Sequence, residues 1–229
     1  MTISILKVAW YMPHILVVLS TLTSGQTSAP IDHPDIQGED GGWVLVNRLR
    51  GISVTAHQSF EIQLRGTCQL NSETIKIPPI SWGEAPGESD PLRTVQEVLS
   101  ENKQLSVTRS AHTIVIRDAH VPQDLLDTTI SGLRLDGHAR YAADVAIYPA
   151  LNSRAIRKAL EKSNSREAVA SLDGLLAINS ADQPHLPRNI GRTTLRDYFS
   201  TVLATFGGFI VYEDCVDSGG VRRVYIRHY

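Results

Sequence analysis

Two pairs of residues in the sequence place a carboxylate two positions before an imidazole. Asp118 precedes His120, and Asp136 precedes His138. A carboxylate that orients an imidazole can support general-base chemistry or a metal ligand. The four side chains together are therefore the candidate active site of a hydrolase. Polar pairs at strand ends and turns more often cap the turn or face water, and we prefer that interpretation of these residues.

The remaining motifs do not point to a metal or a cofactor. None of the eight histidines has the spacing of a helical two-histidine zinc site, and there is no Gly-x-Ser-x-Gly sequence. Asp32, His33 and Asp35 form an acidic cluster within a segment rich in Pro and Gly, which is typical of a solvated linker. We therefore predict no catalytic residue, no metal ligand and no cofactor.

Two groups of basic residues could meet an anion. The first recurs at helical spacing, is interspersed with Glu161 and Glu167, and comprises Arg154, Arg157, Lys158, Lys162 and Arg166. Mixed charge of this kind indicates a solvated helix face. The second group, Arg222, Arg223 and Arg227, lies on the last predicted strand. We interpret these arginines as solvated as well. If the last strand is an edge of the sheet, its charges would also oppose edge-to-edge pairing.

The two cysteines, Cys68 and Cys215, are the candidate disulfide. In an oxidising compartment one bridge would join the first β region to the last hairpin, and two buried free thiols are the alternative. No Cys-x-x-Cys pair is present, so nothing in the sequence indicates a reactive thiol.

Composition limits the class of protein. The chain has 229 residues, of which 42% are hydrophobic and 20% are charged, so it contains enough apolar residues to fold. Its formal net charge is -2, which predicts no broad cationic surface and no nucleic-acid partner.

The first 42 residues indicate export. Residues 1–25 contain Lys7, then an apolar run, and end in small polar residues. This is the layout of a secretory signal peptide. The apolar run is shorter than a membrane span, so we expect cleavage rather than retention as an anchor, and no membrane span in the mature chain. Residues 26–42 are predicted to be a flexible linker. The predicted location is the periplasm or the extracellular medium.

The rest of the chain predicts an α+β fold. Residues 43–117 are expected to form a β-rich region, with strands at 43–46, 52–55, 60–64 and 74–77, followed by a first helix-hairpin module. In that module Asp90 and Pro91 begin a helix with a Leu92, Val95 and Leu99 stripe. Residues 118–186 are predicted to be a connector, with a strand near 144–148 and helical segments from Asn152 to Leu172.

Residues 187–229 repeat the helix-hairpin order. Thr193 or Thr194 begins a helix with the stripe Leu195, Tyr198 and Val202, which ends at Gly207. When the two units are aligned, the Leu92-Arg93 pair corresponds to Leu195-Arg196, and Ile116-Arg117 corresponds to Ile226-Arg227. We therefore predict two small strand-helix-hairpin modules with a connecting α/β region.

Each unit resembles the short N-terminal (STN-like) domain of secretins and TonB-dependent receptors. The resemblance covers residues 79–117 and 189–228 and is carried mainly by the hydrophobic pattern. It implies a small α+β fold and an interaction role in the periplasm, with an envelope protein as the partner.

The expected function is therefore non-enzymatic binding of an unidentified ligand. Small sheets with exposed edges can recruit an extended segment by strand addition. Two alternatives remain at this point: the hydrolase that uses Asp118, His120, Asp136 and His138, and a purely structural envelope protein. A pocket that collects those four side chains would favour the hydrolase.

Overall fold

The computed structural model describes residues 41–68, 75–84, 90–168 and 183–229. The predicted signal peptide, and all of the predicted linker except its last two residues, lie outside the described part. The helices are α1 (Gly41–Ala56), α2 (Pro91–Val98), α3 (Ala143–Leu151), α4 (Arg154–Lys162) and α5 (Leu195–Phe206), with a 3₁₀ turn at Gly137–Arg140. Within the described part, none of these helices combines the length and the apolar character that crossing a bilayer requires.

The strands form one main sheet and two short pairs. They are β1 (Ser59–Cys68), β2 (Ile75–Lys76), β3 (Leu105–Ser110), β4 (Thr113–Asp118), β5 (Thr129–Ile130), β6 (Leu133–Arg134), β7 (Ser165–Ala168), β8 (Asn189–Ile190), β9 (Thr193–Thr194), β10 (Phe209–Val216) and β11 (Arg222–His228). The main sheet has the order β3-β4-β1-β10-β11-β7, and β2 pairs with the end of β1. Strand β1 is central and runs parallel to both β4 and β10.

One face of the sheet is covered by α1 and α2. Phe60 of β1 lies opposite Phe209 of β10, and their rings stack with centroids 5.2 Å apart. Alternate residues of β1, β4 and β10 pack on this face because side chains alternate across a strand. The helices contribute apolar side chains to the same core, namely Leu45, Val46, Leu49, Val95, Val98 and Leu99.

The other face is covered by α3, α4 and α5. The intervening residues of β10 and β11 pack here, so both faces of β10 are buried. Tyr198 of α5 is fully buried, and its hydroxyl donates a hydrogen bond to the carbonyl oxygen of Ala146 in α3 at 2.7 Å. The sheet therefore lies between two helical layers, and the predicted α+β class is confirmed.

The predicted starts of α2 and α5 and the predicted end of α5 are confirmed, whereas α2, which was expected to reach Asn102, ends at Val98. Asp90 is the N-cap of α2 and accepts a hydrogen bond from the Leu92 amide, and Pro91 is the first helical residue. Thr194 is the N-cap of α5 in the same way, and Gly207 ends that helix with φ 75°. The two stripes are buried or packed against the cores, as predicted.

Three secondary-structure predictions are wrong. Residues 43–46 and 52–55 lie in α1 rather than in strands, and residues 144–148 lie in α3. Short apolar runs fit either a buried strand or a buried helix, so their periodicity alone does not distinguish the two. The helical stripe predicted to continue through Ala168 is also incorrect there, because Ala168 ends β7; residues 169–182 lie outside the described part.

The two helix-hairpin units are present, but they do not form separate layers. Their hairpins, β3-β4 and β10-β11, flank β1 within a single sheet. Their helices, α2 and α5, lie on opposite faces of that sheet. Each helix still covers its own hairpin, while β1 joins the two units by backbone hydrogen bonds on both sides.

Candidate functional site

Cys68 and Cys215 form a disulfide, as proposed from the sequence. Their Cα atoms are 5.3 Å apart and they are separated by 147 positions in the sequence. The bond joins β1 to its parallel neighbour β10 next to Ile75 and Tyr225. Both cysteines are consumed by this bond, so neither is available as a nucleophile.

Asp118 and His120 do form a carboxylate-imidazole pair. Asp118 ends β4 and is buried, and its Oδ1 lies 2.9 Å from His120 Nδ1 and accepts a hydrogen bond from the His120 amide at 2.8 Å. The His120 side chain is 73% exposed. The pair therefore closes the turn after β4 and leaves the imidazole in solvent.

Asp136 and His138 lie on a different part of the surface. Asp136 is exposed at the start of the 3₁₀ turn and lies near the side chains of Arg134 (3.3 Å) and Arg188 (3.4 Å). His138 is exposed as well. Both arginines attract the carboxylate of Asp136, so it is an ion-pair partner rather than an orienter of His138.

The four hydrolase candidates lie outside three of the pockets in the described structure. These pockets lie between α1 and residues 77–82, along α4, and at the turn of the β3-β4 hairpin. None of Asp118, His120, Asp136 or His138 lines any of these three. No group of three metal-binding side chains is found in the described ranges either.

The basic residues of α4 face solvent, as predicted. Arg154, Arg157 and Lys158 are exposed and border an open surface depression, with Glu161 at its rim. The buried side of this helix carries Ile156 and Leu160. The side chains of Arg166 and Glu167, and the acidic cluster of Asp32, His33 and Asp35, lie outside the described part.

The last strand is not an edge of the sheet, so its arginines do not have the role that an edge position would give them. Strand β11 lies between β10 and β7, and Arg222 is only 8% exposed. Arg223 pairs with Asp217, and Arg227 pairs with Glu213, in both instances on the same hairpin. These arginines neutralise neighbouring carboxylates and do not prevent pairing of strands.

Arg222 belongs to a buried cluster that the sequence did not reveal, here called the Asp214 cluster: Asp214, Arg65, Arg222, Asp124 and Tyr212. Asp214 is fully buried between the guanidinium groups of Arg65 and Arg222. Arg222 also donates to Asp124, at 2.9 Å and 3.0 Å, and to the Tyr212 hydroxyl at 3.0 Å. Burial raises the pKa of Tyr212 to about 12.

A second buried polar chain lies beside this cluster on β1. Glu61 and Gln63 alternate with apolar residues along β1, as on a half-buried strand, yet they are 1% and 0% exposed. Gln63 bonds to Glu61 and to Gln123, which in turn accepts from Arg196 of α5 at 2.7 Å. Burial raises the pKa of Glu61, while the Gln63 hydrogen bond and the charge of Arg196 lower it. These groups join the sheet to α5 by side-chain hydrogen bonds.

The outer side of β3 is a different kind of site, because β3 is the last strand of the sheet. It forms an antiparallel hairpin with β4, in which Ser110 and Thr113 flank a two-residue turn. The pair next to such a turn exchanges hydrogen bonds, and the pattern alternates along the strand. The backbone groups of Leu105, Val107 and Arg109 therefore point away from β4, and we call this row the β3 edge.

The hydrogen bonds of the structure agree with this assignment. The Leu105 amide donates to the Asn102 carbonyl at 2.8 Å, and the Val107 carbonyl accepts from Gln96 of α2 at 3.1 Å. Among the described residues, no partner is present for the amide of Val107 or for the amide and carbonyl of Arg109. The last three residues of β3 are exposed. An extended chain could therefore bond to the second half of the β3 edge.

A pocket of about 620 Å³ adjoins this half of the edge. It is lined by the end of α1, the first residues of α2 and the β3-β4 turn. Arg109 reaches across it to pair with Asp90 at 2.9 Å, and His57 and His112 also line it. A segment bound along β3 would therefore lie beside Arg109, which borders this polar pocket.

The sequence predicted β3 as a strand but gave no sign of its place in the sheet. An edge strand and an inner strand can carry the same residues, because the difference depends on what lies beside them. Comparison of the chain with protein-family models, with curated proteins and with solved structures finds no match.

Proposed function

We propose that this protein binds an extended polypeptide segment by strand addition at the β3 edge. The observation that carries the proposal is three outward backbone groups of β3, the amide of Val107 and the amide and carbonyl of Arg109, which have no partner among the described residues. Main-chain hydrogen bonds would supply affinity, and pockets for alternate side chains would supply specificity. The polar pocket beside Arg109 is the first such position.

The hydrolase alternative has less support. A hydrolytic site needs its acid, base and substrate in one cleft. Asp118 and His120 form a pair, but the carboxylate of Asp136 is paired with Arg134 and Arg188, and none of the four candidates lines the three pockets described above. The β3 edge, by contrast, adjoins a pocket.

The proposed partner is an exported or envelope protein. The signal-peptide pattern of residues 1–25 and the disulfide between Cys68 and Cys215 both support a periplasmic or secreted location, because disulfides persist in oxidising compartments. N-terminal sequencing of the exported protein tests this location, with a mature chain expected to begin at Gln26 or Pro30. An intact Met1 on a cytosolic product would contradict it. The relationship to the short N-terminal domain of secretins and TonB-dependent receptors is part of the same proposal.

The test of strand addition uses two substitutions at one position. Arg109→Ala removes the guanidinium group but keeps the backbone amide, whereas Arg109→Pro removes both. Proline is tolerated on an edge strand where its nitrogen faces solvent, so the hairpin should survive. The probe is a displayed library of random 12-residue peptides, selected on the wild-type protein.

We expect the selected peptides to bind Arg109→Pro about tenfold more weakly than Arg109→Ala, because main-chain hydrogen bonds are lost in the proline variant alone. His120→Ala is the control for the hydrolase residues and should bind normally. Equal binding by both Arg109 variants would contradict strand addition, and failure to select any peptide would favour a purely structural role.

A further inference from the structure

We propose that the β3 edge also pairs with the β3 edge of a second copy of this chain, so that two sheets join across a two-fold axis. The inference rests on the strand addition proposed above and names one partner for it. It starts from the weak protection of the edge, since edge strands usually carry proline, bulges or unpaired charges that oppose association. Strand β3 contains no proline, and its single charge, on Arg109, is paired with Asp90.

The free backbone groups select the register. A two-fold axis perpendicular to the sheet makes the strands antiparallel, and residues with outward groups must face each other. With the axis at Ser106 or Val107, the Leu105 amide would have to donate a hydrogen bond to the second copy. This amide already donates to the carbonyl of Asn102. An axis at Arg109 would place two guanidinium groups directly opposite each other. An axis at Thr108 avoids both problems.

With the axis at Thr108, Val107 of one copy faces Arg109 of the other. The Val107 amide donates to the Arg109 carbonyl, and the Arg109 amide donates to the Val107 carbonyl, so the pair of copies gains four hydrogen bonds. The Val107 carbonyl retains its bond to Gln96, because a carbonyl oxygen has two lone pairs.

The side chains agree with the same register. Thr108 faces its own counterpart at the axis, and Ser106 faces Ser110. Hydroxyl pairs of this type stabilise neighbouring strands, and no like charges oppose each other. Thr108 and Ser110 are exposed in the single chain, so both are free to form these pairs.

Cysteine substitution tests the register directly. In a non-hydrogen-bonded antiparallel pair the Cα atoms are about 4.5 Å apart, which lies within the range of about 4.4 to 6.8 Å that a disulfide tolerates. Thr108→Cys should therefore form a covalent dimer on mild oxidation. Ser110→Cys alone should not, because its two copies would be about 14 Å apart along the strand. A mixture of Ser110→Cys and Ser106→Cys should cross-link.

Sedimentation velocity over a concentration series measures the association without cross-linking. The wild type should approach twice the monomer mass, and Arg109→Pro should associate about tenfold more weakly than Arg109→Ala, which keeps the backbone amide. Mass spectrometry of the oxidised variants should show that the bond between Cys68 and Cys215 is intact.

A protein that stays monomeric, or one in which Ser110→Cys cross-links alone as readily as Thr108→Cys, overturns the inference. A monomer that still binds selected peptides through the Arg109 amide leaves strand addition standing and rejects only self-pairing. A monomer that binds no such peptide rejects both.

Discussion

The carboxylate of Glu213 on β10 accepts a hydrogen bond from the backbone amide of Gly42, at the start of α1, over 3.2 Å. Glu213 is 1% exposed, and Nη1 of Arg227 lies 3.3 Å from its other oxygen. The contact fixes the first turn of α1 to the sheet through a buried ionisable group, so the attachment of this helix should respond to pH.

The pKa of Glu213 sets the direction of that response. Burial raises this pKa from 4.5 to about 7, although the Gly42 hydrogen bond lowers it. Between these values the folded state binds more protons than the unfolded state, so the contribution of Glu213 to stability is complete below pH 4.5 and is lost as the pH rises to about 7. The loss is at most about 3 kcal/mol. Urea denaturation at a series of pH values should show a flatter profile for Glu213→Gln than for the wild type, and identical profiles would contradict this assignment.

Alanine substitution at two glycines of α1 should change the free energy of unfolding in opposite directions. A Cβ atom on Gly42 would lie 2.5 Å from Oε1 of Glu213 and 2.7 Å from Cγ1 of Val211, so Gly42→Ala should lower the free energy of unfolding by about 1 to 3 kcal/mol. A Cβ atom on Gly51 would meet no side chain or neighbouring element within 4 Å, so Gly51→Ala should raise the free energy of unfolding by about 0.5 to 1 kcal/mol through helix propensity. Thermal melts of the two variants measure the contrast. A stabilising effect at Gly42 would show that α1 does not lie against β10.

The disulfide should contribute substantially to stability because the loop that it closes is long. With 147 positions between the cysteines, the chain-entropy model gives about 4 to 5 kcal/mol. The double substitution Cys68→Ala and Cys215→Ala should lower the denaturation midpoint accordingly. Adding a reductant should shift the midpoint of the wild type but not that of the double variant. Equal midpoints for the oxidised wild type and the double variant would contradict the prediction.

Core side chains and surface histidines should differ clearly in their effect on stability. Leu99 is 2% exposed and Val202 is fully buried, so Leu99→Ala should cost about 2 to 4 kcal/mol and Val202→Ala about 2 kcal/mol. His120→Ala and His138→Ala should each change stability by less than about 0.5 kcal/mol, because both side chains are exposed. Histidine variants that melt at temperatures as low as those of the core variants would contradict this prediction and support the hydrolase alternative.

Local signals in the sequence determined where the helices of the two helix-hairpin units begin. Asp90, Pro91, Thr194 and Gly207 act on the backbone within a few residues of themselves, so the starts of α2 and α5 and the end of α5 were predictable without knowledge of the fold. The stripe of α5 likewise indicated which side chains are buried.

Only the tertiary structure decided which elements lie beside one another. The run from Trp43 to Ala56 has the composition of a strand or a helix, and it becomes α1 because its apolar side chains pack onto a sheet built from distant segments. Glu61 and Gln63 alternate with apolar residues as on a solvent-facing strand. They are buried because the segment around Gln123 and the helix α5 fold over them and supply hydrogen-bond partners. The same holds for β3, since its residues specify a strand, whereas its position at the edge, and with it the candidate binding site, depends on the order in which six strands assemble around β1.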